Sequence, residues 1–158
     1  NYGEQRFVEQ AEASGANGFI IPDLPPEEGA SFEIHCTNNQ LALSYLLAPT
    51  STEERIKLVA KKASGFVYLV SLTGVTGARL DLPNYLQDFV ERVRRHVTDP
   101  LAIGFGISTP NQAQEVGKLV EGVIVGSKLI NIARDSDNPA EACGQFVADM
   151  TAALKQDS

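Results

Sequence analysis

Five short runs of β-branched, aromatic and other apolar residues punctuate the chain: Gly18-Phe19-Ile20-Ile21-Pro22-Asp23, Leu43 to Pro49, Gly65 to Ser71, Leu101 to Gly106, and Gly122 to Ser127. Each is nearly unbroken in apolar character, which is how a parallel strand buried on both faces reads. The stretches between them change period. Residues 4–14 place Phe7, Val8 and Ala11 at helical spacing, and residues 26–39 form a proline-started acidic helix. Residues 52–64 open at Ser51 or Thr52 as the cap, carry Glu53 and Glu54 in the first turn and set Ile56, Val59 and Ala60 on one face. Residues 83–97 start at Pro83 and hold Leu86, Phe89, Val90 and Val93 on one stripe, and another helix starts at Pro110. Residues 127–134 make a short helix, and residues 138–155 close the chain with Phe146, Val147, Met150 and Leu154.

Strict alternation of strand and helix calls for parallel strands joined by right-handed crossovers, either in a barrel or in an open doubly wound sheet. The position of the glycines separates the two. Open sheets put the glycine-rich phosphate turn after the first strand, whereas barrels put it after the seventh and eighth, with a short extra helix. Here Gly104-Phe105-Gly106-Ile107-Ser108 and Gly126-Ser127 follow the last two runs, and residues 127–134 supply the extra helix. The expected fold is therefore α/β, a partial (β/α)8 TIM barrel in one domain over residues 1–158, with five parallel strands and flanking helices. Those strands count as four to eight. A whole barrel takes about 250 residues, so about three βα units would precede Asn1. A partial barrel exposes strand edges and apolar surface, and self-association is expected of it.

Composition narrows the function. With 158 residues, 43% hydrophobic, the chain can build one sizeable core. A net charge of −7 and the lack of a Lys/Arg run exclude the electrostatic footprint of a nucleic-acid binder. No apolar run approaches the roughly 20 residues that span a bilayer, and a soluble, cytoplasmic protein without membrane contact is expected. Cys36 and Cys143 lack CxxC spacing and read as ordinary thiols, with no disulfide expected. His35 and His96 read as solvent-side helix residues with no metal-ligand spacing around them.

The candidate chemistry sits at the carboxyl ends of the runs, where barrels keep their sites. Gly104, Phe105 and Gly106 allow close backbone approach to an anion, and Ser127 adds a hydroxyl and the N–H that opens a helix. Simple turn chemistry is the bland alternative. The second Gly-Ser one βα unit later favours a phosphate site. Gly74-Val75-Thr76-Gly77 begins a long connection that is either a lid with glycine hinges or a loose surface loop. Tyr68 is a core tyrosine or, if it points inward near the strand end, a ligand contact. Asp23 serves as a base, a partner contact or, most commonly at such a place, a helix cap. No nucleophile elbow, Walker loop or zinc cluster is present.

The series Ile21-Pro22-Asp23-Leu24-Pro25-Pro26-Glu27-Glu28, Leu47-Ala48-Pro49-Thr50, Gly65 to Ser71, Gly74-Val75-Thr76-Gly77, Gly104 to Ser108 and Val125-Gly126-Ser127 resembles the tryptophan synthase alpha subunit family, in order, over essentially the whole chain. The resemblance implies a lyase of tryptophan biosynthesis that cleaves indole-3-glycerol phosphate to indole and glyceraldehyde 3-phosphate. It implies no cofactor, and a partner beta subunit that receives the indole. Carried across, Gly104, Phe105, Gly106, Gly126 and Ser127 hold the phosphate, with Gly77 in the closing loop. Tyr68 sits at the reacting end, Ile20 and Leu46 line the indole pocket, and Asp23 and Pro25 face the beta subunit. The family's catalytic Glu and Asp fall upstream of Asn1, so no catalytic residue is assigned here and the chain alone is expected to be inactive. Lys128 departs from the small apolar residues usual in the family. Two alternatives are a non-catalytic fragment that binds phosphate or the beta subunit, and another phosphate-binding barrel isomerase or epimerase.

Overall fold

The computed structural model describes residues 2–70, 84–104 and 106–155. In order along the chain come α1 (Glu4–Ala13), β1 (Gly18–Ile20), α2 (Ala30–Asn38), β2 (Ala42–Ser44), β3 (Leu46–Leu47), α3 (Glu53–Lys62), β4 (Val67–Val70), α4 (Asn84–Arg94), β5 (Leu101–Gly104), α5 (Pro110–Gly117), β6 (Gly122–Ile124), α6 (Ser127–Asp135) and α7 (Pro139–Leu154). All pairings are parallel. β1 pairs with β2, and β3, β4, β5 and β6 follow one another in chain order. Sequential parallel neighbours joined through helices are the arrangement expected of part of a (β/α)8 barrel.

The second apolar run forms two strands where the sequence suggested one. Tyr45 interrupts it, so that β2 serves β1 and β3 serves β4, while the Tyr45 carbonyl still accepts from the Tyr68 N–H at 3.0 Å. The Tyr45 ring lies in the outer layer, and its hydroxyl donates to Glu33 Oε1 at 2.6 Å. Lys62 Nζ completes the group at 2.9 Å from the same carboxylate. Gly29 makes room, because a Cβ there would stand 1.9 Å from the Tyr45 hydroxyl oxygen.

Helix α2 starts at Ala30 and not at Pro26. Two successive turns consume the intervening chain: Leu24 N–H donates to the Ile21 carbonyl at 3.2 Å, and Glu28 N–H to the Pro25 carbonyl at 3.0 Å. Pro22 and Pro26 each occupy the second position of their turn, where a fixed φ suits the geometry. Asp23 is therefore a turn residue, not the cap of a helix. Elsewhere the punctuation behaves as written. Thr52 accepts from Arg55 N–H at 3.2 Å and opens α3, and Thr109 accepts from Gln112 N–H at 3.3 Å with Pro110 behind it.

Alternation divides the strands into two faces. Leu43, Leu47, Val67, Leu69, Leu101 and Ile103 are buried in one cluster with Ile56 and Val59 of α3, Phe89 and Val93 of α4, and Ala113 and Val116 of α5. The opposite face carries Ile20, Leu46, Tyr68, Val70, Ala102 and Ile124, and it is only partly covered. Continuous apolar runs suggested burial on both faces. Helices bury only one, because the inner face of such a layer is covered by side chains from across a barrel and not by helices. Among the described residues, no helix is long and apolar enough to cross a membrane.

This division predicts unequal costs on adjacent positions. Leu69→Ala should lose about 2–5 kcal/mol in urea unfolding through the cavity it leaves under the helices, and Val70→Ala on the open face less than half as much. Equal losses would contradict the assignment of faces.

Candidate functional site at the carboxyl ends of the strands

The site grows from the β4–β5 register. Tyr68 lies opposite Ala102, and Val70 opposite Gly104. Tyr68 therefore leans along the strand direction toward the carboxyl end and crosses onto β5. A Cβ on Gly104 would stand 2.1 Å from its hydroxyl oxygen and 2.5 Å from two ring carbons. A bare Gly104 thus makes room for the tyrosine. Burial pushes the Tyr68 phenol above the ordinary tyrosine range, so at neutral pH it is an uncharged hydrogen-bonding group.

Two residues beyond Gly104, Gly106 adopts φ 81°, a conformation that side-chain-bearing residues rarely take, and it turns the chain sharply off β5. The following Ser108 N–H is already used by Gln112 Oε1 at 2.9 Å. β6 lies directly beside β5, with Ile124 opposite Gly104. Two residues beyond Ile124, Gly126 stands as the N-cap of α6 with no side-chain cap. The first backbone bond of that helix runs from Ile130 N–H to the Gly126 carbonyl at 3.1 Å. The amides of Ser127, Lys128 and Leu129 consequently have no partner inside the helix, and they point out of its positive end. A Cβ added to Gly126 would meet nothing within 4 Å, so the space over this helix end is open. Two neighbouring strand ends thus lead into Gly106 and an uncapped helix start, whose free amides are of the kind that can serve an anion.

The inner face supplies the apolar part. Leu46 lies opposite Tyr68, and Ile20 occupies the same face on β1, 44% exposed. Periodicity of two from Tyr68 and Gly104 adds Val70, Ala102 and Ile124, which carry no motif of their own. Leu46 and Val70 also line a cleft of about 680 Å³ with Thr50, Ser51 and Arg55. A smaller cleft of about 360 Å³ beside it is lined by Pro22, Asp23, Pro25 and Leu46. Asp23 is exposed and Pro25 half-buried. Gly77 and Phe105 lie outside the described residues.

The ionisable groups near the strand ends are tied elsewhere. Glu27 accepts from Arg55 Nη1 at 2.8 Å. His96 is not a bystander either: its Nε2 lies 2.5 Å from Glu53 Oε2. That pairing joins residues far apart in sequence and leaves no periodic trace.

The model of the tryptophan synthase alpha chain family matches residues 1–157. The chain belongs to the tryptophan synthase alpha chain family. It is 47% identical over 154 residues to the tryptophan synthase alpha chain of Dehalococcoides mccartyi, a match covering 98% of this chain and 60% of that protein. With the tryptophan synthase of Saccharomyces cerevisiae it shares 44% over 137 residues, covering 86% of this chain and 19% of the yeast protein. Among solved structures, tryptophan synthase of Mycobacterium tuberculosis superposes with a TM-score of 0.87 at 30% identity, over 98% of this chain and 58% of that one. A Pyrococcus furiosus structure described as the tryptophan synthase α2β2 complex gives a TM-score of 0.85 at 32% identity, over 95% of this chain and 61% of that one. The chain therefore spans about three-fifths of the alpha-chain length in these relatives. Membership in the tryptophan synthase alpha family makes the parallel βα layer part of a TIM barrel, with its strand ends on the site side.

The Tyr68–Gly104 contact yields a paired prediction. Gly104→Ala should displace the ring and destabilise the chain by about 1–3 kcal/mol, the usual cost of overpacking. Adding Tyr68→Ala should recover much of that loss, a non-additivity measurable in a double-mutant cycle by urea unfolding. Additive losses would mean that the two side chains do not compete for one space.

Proposed function

We propose that this chain carries the phosphate-gripping and partner-facing part of a carbon–carbon lyase that cleaves indole-3-glycerol phosphate to indole and glyceraldehyde 3-phosphate in tryptophan biosynthesis. The observation that carries the reading is the left-handed Gly106 at the end of β5 beside the uncapped start of α6. A phosphate there accepts from the Gly106 and Ser127 amides, with Gly126 keeping the approach open. Tyr68 stands at the reacting end as a neutral phenol. Ile20, Leu46 and Ile124 form the wall for the indole ring. No cofactor enters the reaction.

The same geometry says what these residues leave undone. Cleavage needs a proton delivered to the indole ring carbon and another removed from the glycerol hydroxyl, which calls for positioned carboxylates. Among the described residues, no Asp or Glu stands on the inner face of the sheet. Asp23 lies in an exposed turn, and Glu27 and Glu53 are engaged by Arg55 and His96. Binding alone leaves the chemical barrier unchanged, so the 158-residue chain on its own holds ligand without turnover. Asp23 and Pro25 face a beta subunit, which takes the indole. The partly open inner face, Ile20 included, leaves the isolated chain prone to pair with itself.

The phosphate grip is tested by calorimetry with inorganic phosphate. Gly106→Val fills the approach and forbids the required φ, so it should abolish the binding heat, whereas unchanged affinity would remove the site. The division of labour is tested by indole release from indole-3-glycerol phosphate. The chain alone should release none above background, and adding a segment with a relative's first three βα units should restore it, each returned proton-transfer group contributing about 10²–10⁴-fold. Turnover by the chain alone, lost in Asp23→Asn or Glu27→Gln, would place the catalytic groups in this chain after all.

A further inference from the structure

Three polar contacts link α4, α3 and the segment before α2 in series. From α4, Arg92 Nη2 donates to the Pro49 carbonyl at 2.6 Å, while its guanidinium carbon lies 5.7 Å from the Phe89 ring centre. Just past the end of α4, His96 meets Glu53, the first residue of α3. From the same first turn of α3, Arg55 reaches Glu27 in the proline-rich segment. Between these contacts the chain is already closed on itself. Ser51 N–H donates to the Ala48 carbonyl at 2.8 Å, and Ser51 Oγ accepts from the Ala48 N–H at 3.0 Å. The 48–51 turn is therefore closed by two hydrogen bonds and tied to α4 at Pro49, and it runs directly into α3, whose Arg55 holds Glu27.

The strengths of the links are unequal. Arg55 and Glu27 are 36% and 53% exposed, and a pair so open to water contributes little alone. Arg92 is half-buried, charged, and held by both a carbonyl and an aromatic face, so its bond is the stronger. Leu46 and Pro25 meet in one cleft with Arg55, so a shift of the turn reaches the proline-rich rim directly.

We propose that Arg92 is a positioning residue for partner docking: by fixing the Pro49 carbonyl it sets the 48–51 turn, and through Arg55 and Glu27 the Pro22–Glu28 rim that meets the beta subunit. The inference rests on the reading that Asp23 and Pro25 face that partner. Arg92 itself lies on α4, outside that rim, and acts by arrangement.

The test is binding of the 158-residue chain to a tryptophan synthase beta subunit by interferometry, with separate on and off rates. Arg92→Gln should raise Kd by about three- to tenfold, mainly through faster dissociation, the scale of one lost hydrogen bond. Arg92→Lys, which keeps a donor and the charge, should recover part of it. Arg55→Glu should weaken binding, and the charge swap Arg55→Glu with Glu27→Arg should restore it, which general damage to the fold would not allow. Hydrogen exchange at the Leu69 and Ile103 amides reports folding; if Arg92→Gln opens those amides, the Lys variant and the charge swap decide the matter. Wild-type constants for Arg92→Gln, alongside lost binding by Asp23→Arg, would overturn the positioning role and leave the docking reading intact. No binding by the wild-type chain would sink the docking reading, and this inference with it.

Discussion

Leu69 sits opposite Ile103, and both are buried beneath the helices, so the parallel register of β4 and β5 is held by the core. A slip of β4 by one residue would turn Leu69 to the open face and bring Tyr68 under the helices, on the opposite side of the sheet from Gly104. The site depends on that register in detail. It sets Tyr68 diagonally across from Gly104, and it sends the chain off β5 two residues later at Gly106. The β5–β6 register then carries the alignment on to Ile124 and the start of α6. Hydrophobic burial on one side of the sheet thus determines where polar chemistry appears on the other.

Polar side chains do a different job, joining segments that the core leaves loose. The Ser64 hydroxyl accepts from the Leu43 N–H at 2.9 Å and ties the end of α3 to β2. Glu121 accepts from the Leu101 N–H at 2.8 Å and from Arg94, which anchors the start of β5 to α4. Burial alone would raise the Glu121 carboxyl, but these donors outweigh it and hold the group below the usual glutamate range. Tyr45, Glu33 and Lys62 do the same between α2 and α3 at the point where the second apolar run divides.

The architecture was largely legible because it is written in local terms. Apolar runs, caps such as Thr52 and Thr109, and the prolines at 110 and 139 each act within a few residues, and the strands and most helix starts fall where those signals stand. What the sequence concealed was non-local or competitive. Pro25 and Pro26 looked like a helix start, yet two turns took precedence, since their hydrogen bonds close over residues 21–28 before a helix can begin. Tyr45 divides one run into two strands because its hydroxyl has a partner on α2, which no pattern within the run announces. The close approach of Tyr68 to Gly104 is set by the strand register and leaves no trace in the glycine pattern itself. His96 reads as a solvent-side residue, yet it meets Glu53 on another element, and Glu27 likewise has a distant partner in Arg55.

Family membership, the parallel layer and the two adjoining strand ends support the proposal that an anion binds where β5 and β6 end. Backbone amide shifts of the isotope-labelled chain, followed during titration with inorganic phosphate, test it most directly. The predicted result is saturable movement confined to Gly106 and the α6 start at Ser127, Lys128 and Leu129, with smaller effects at Tyr68. Movement centred on the surface arginines and lysines of α3 and α4, with Gly106 and Ser127 unmoved, would contradict it.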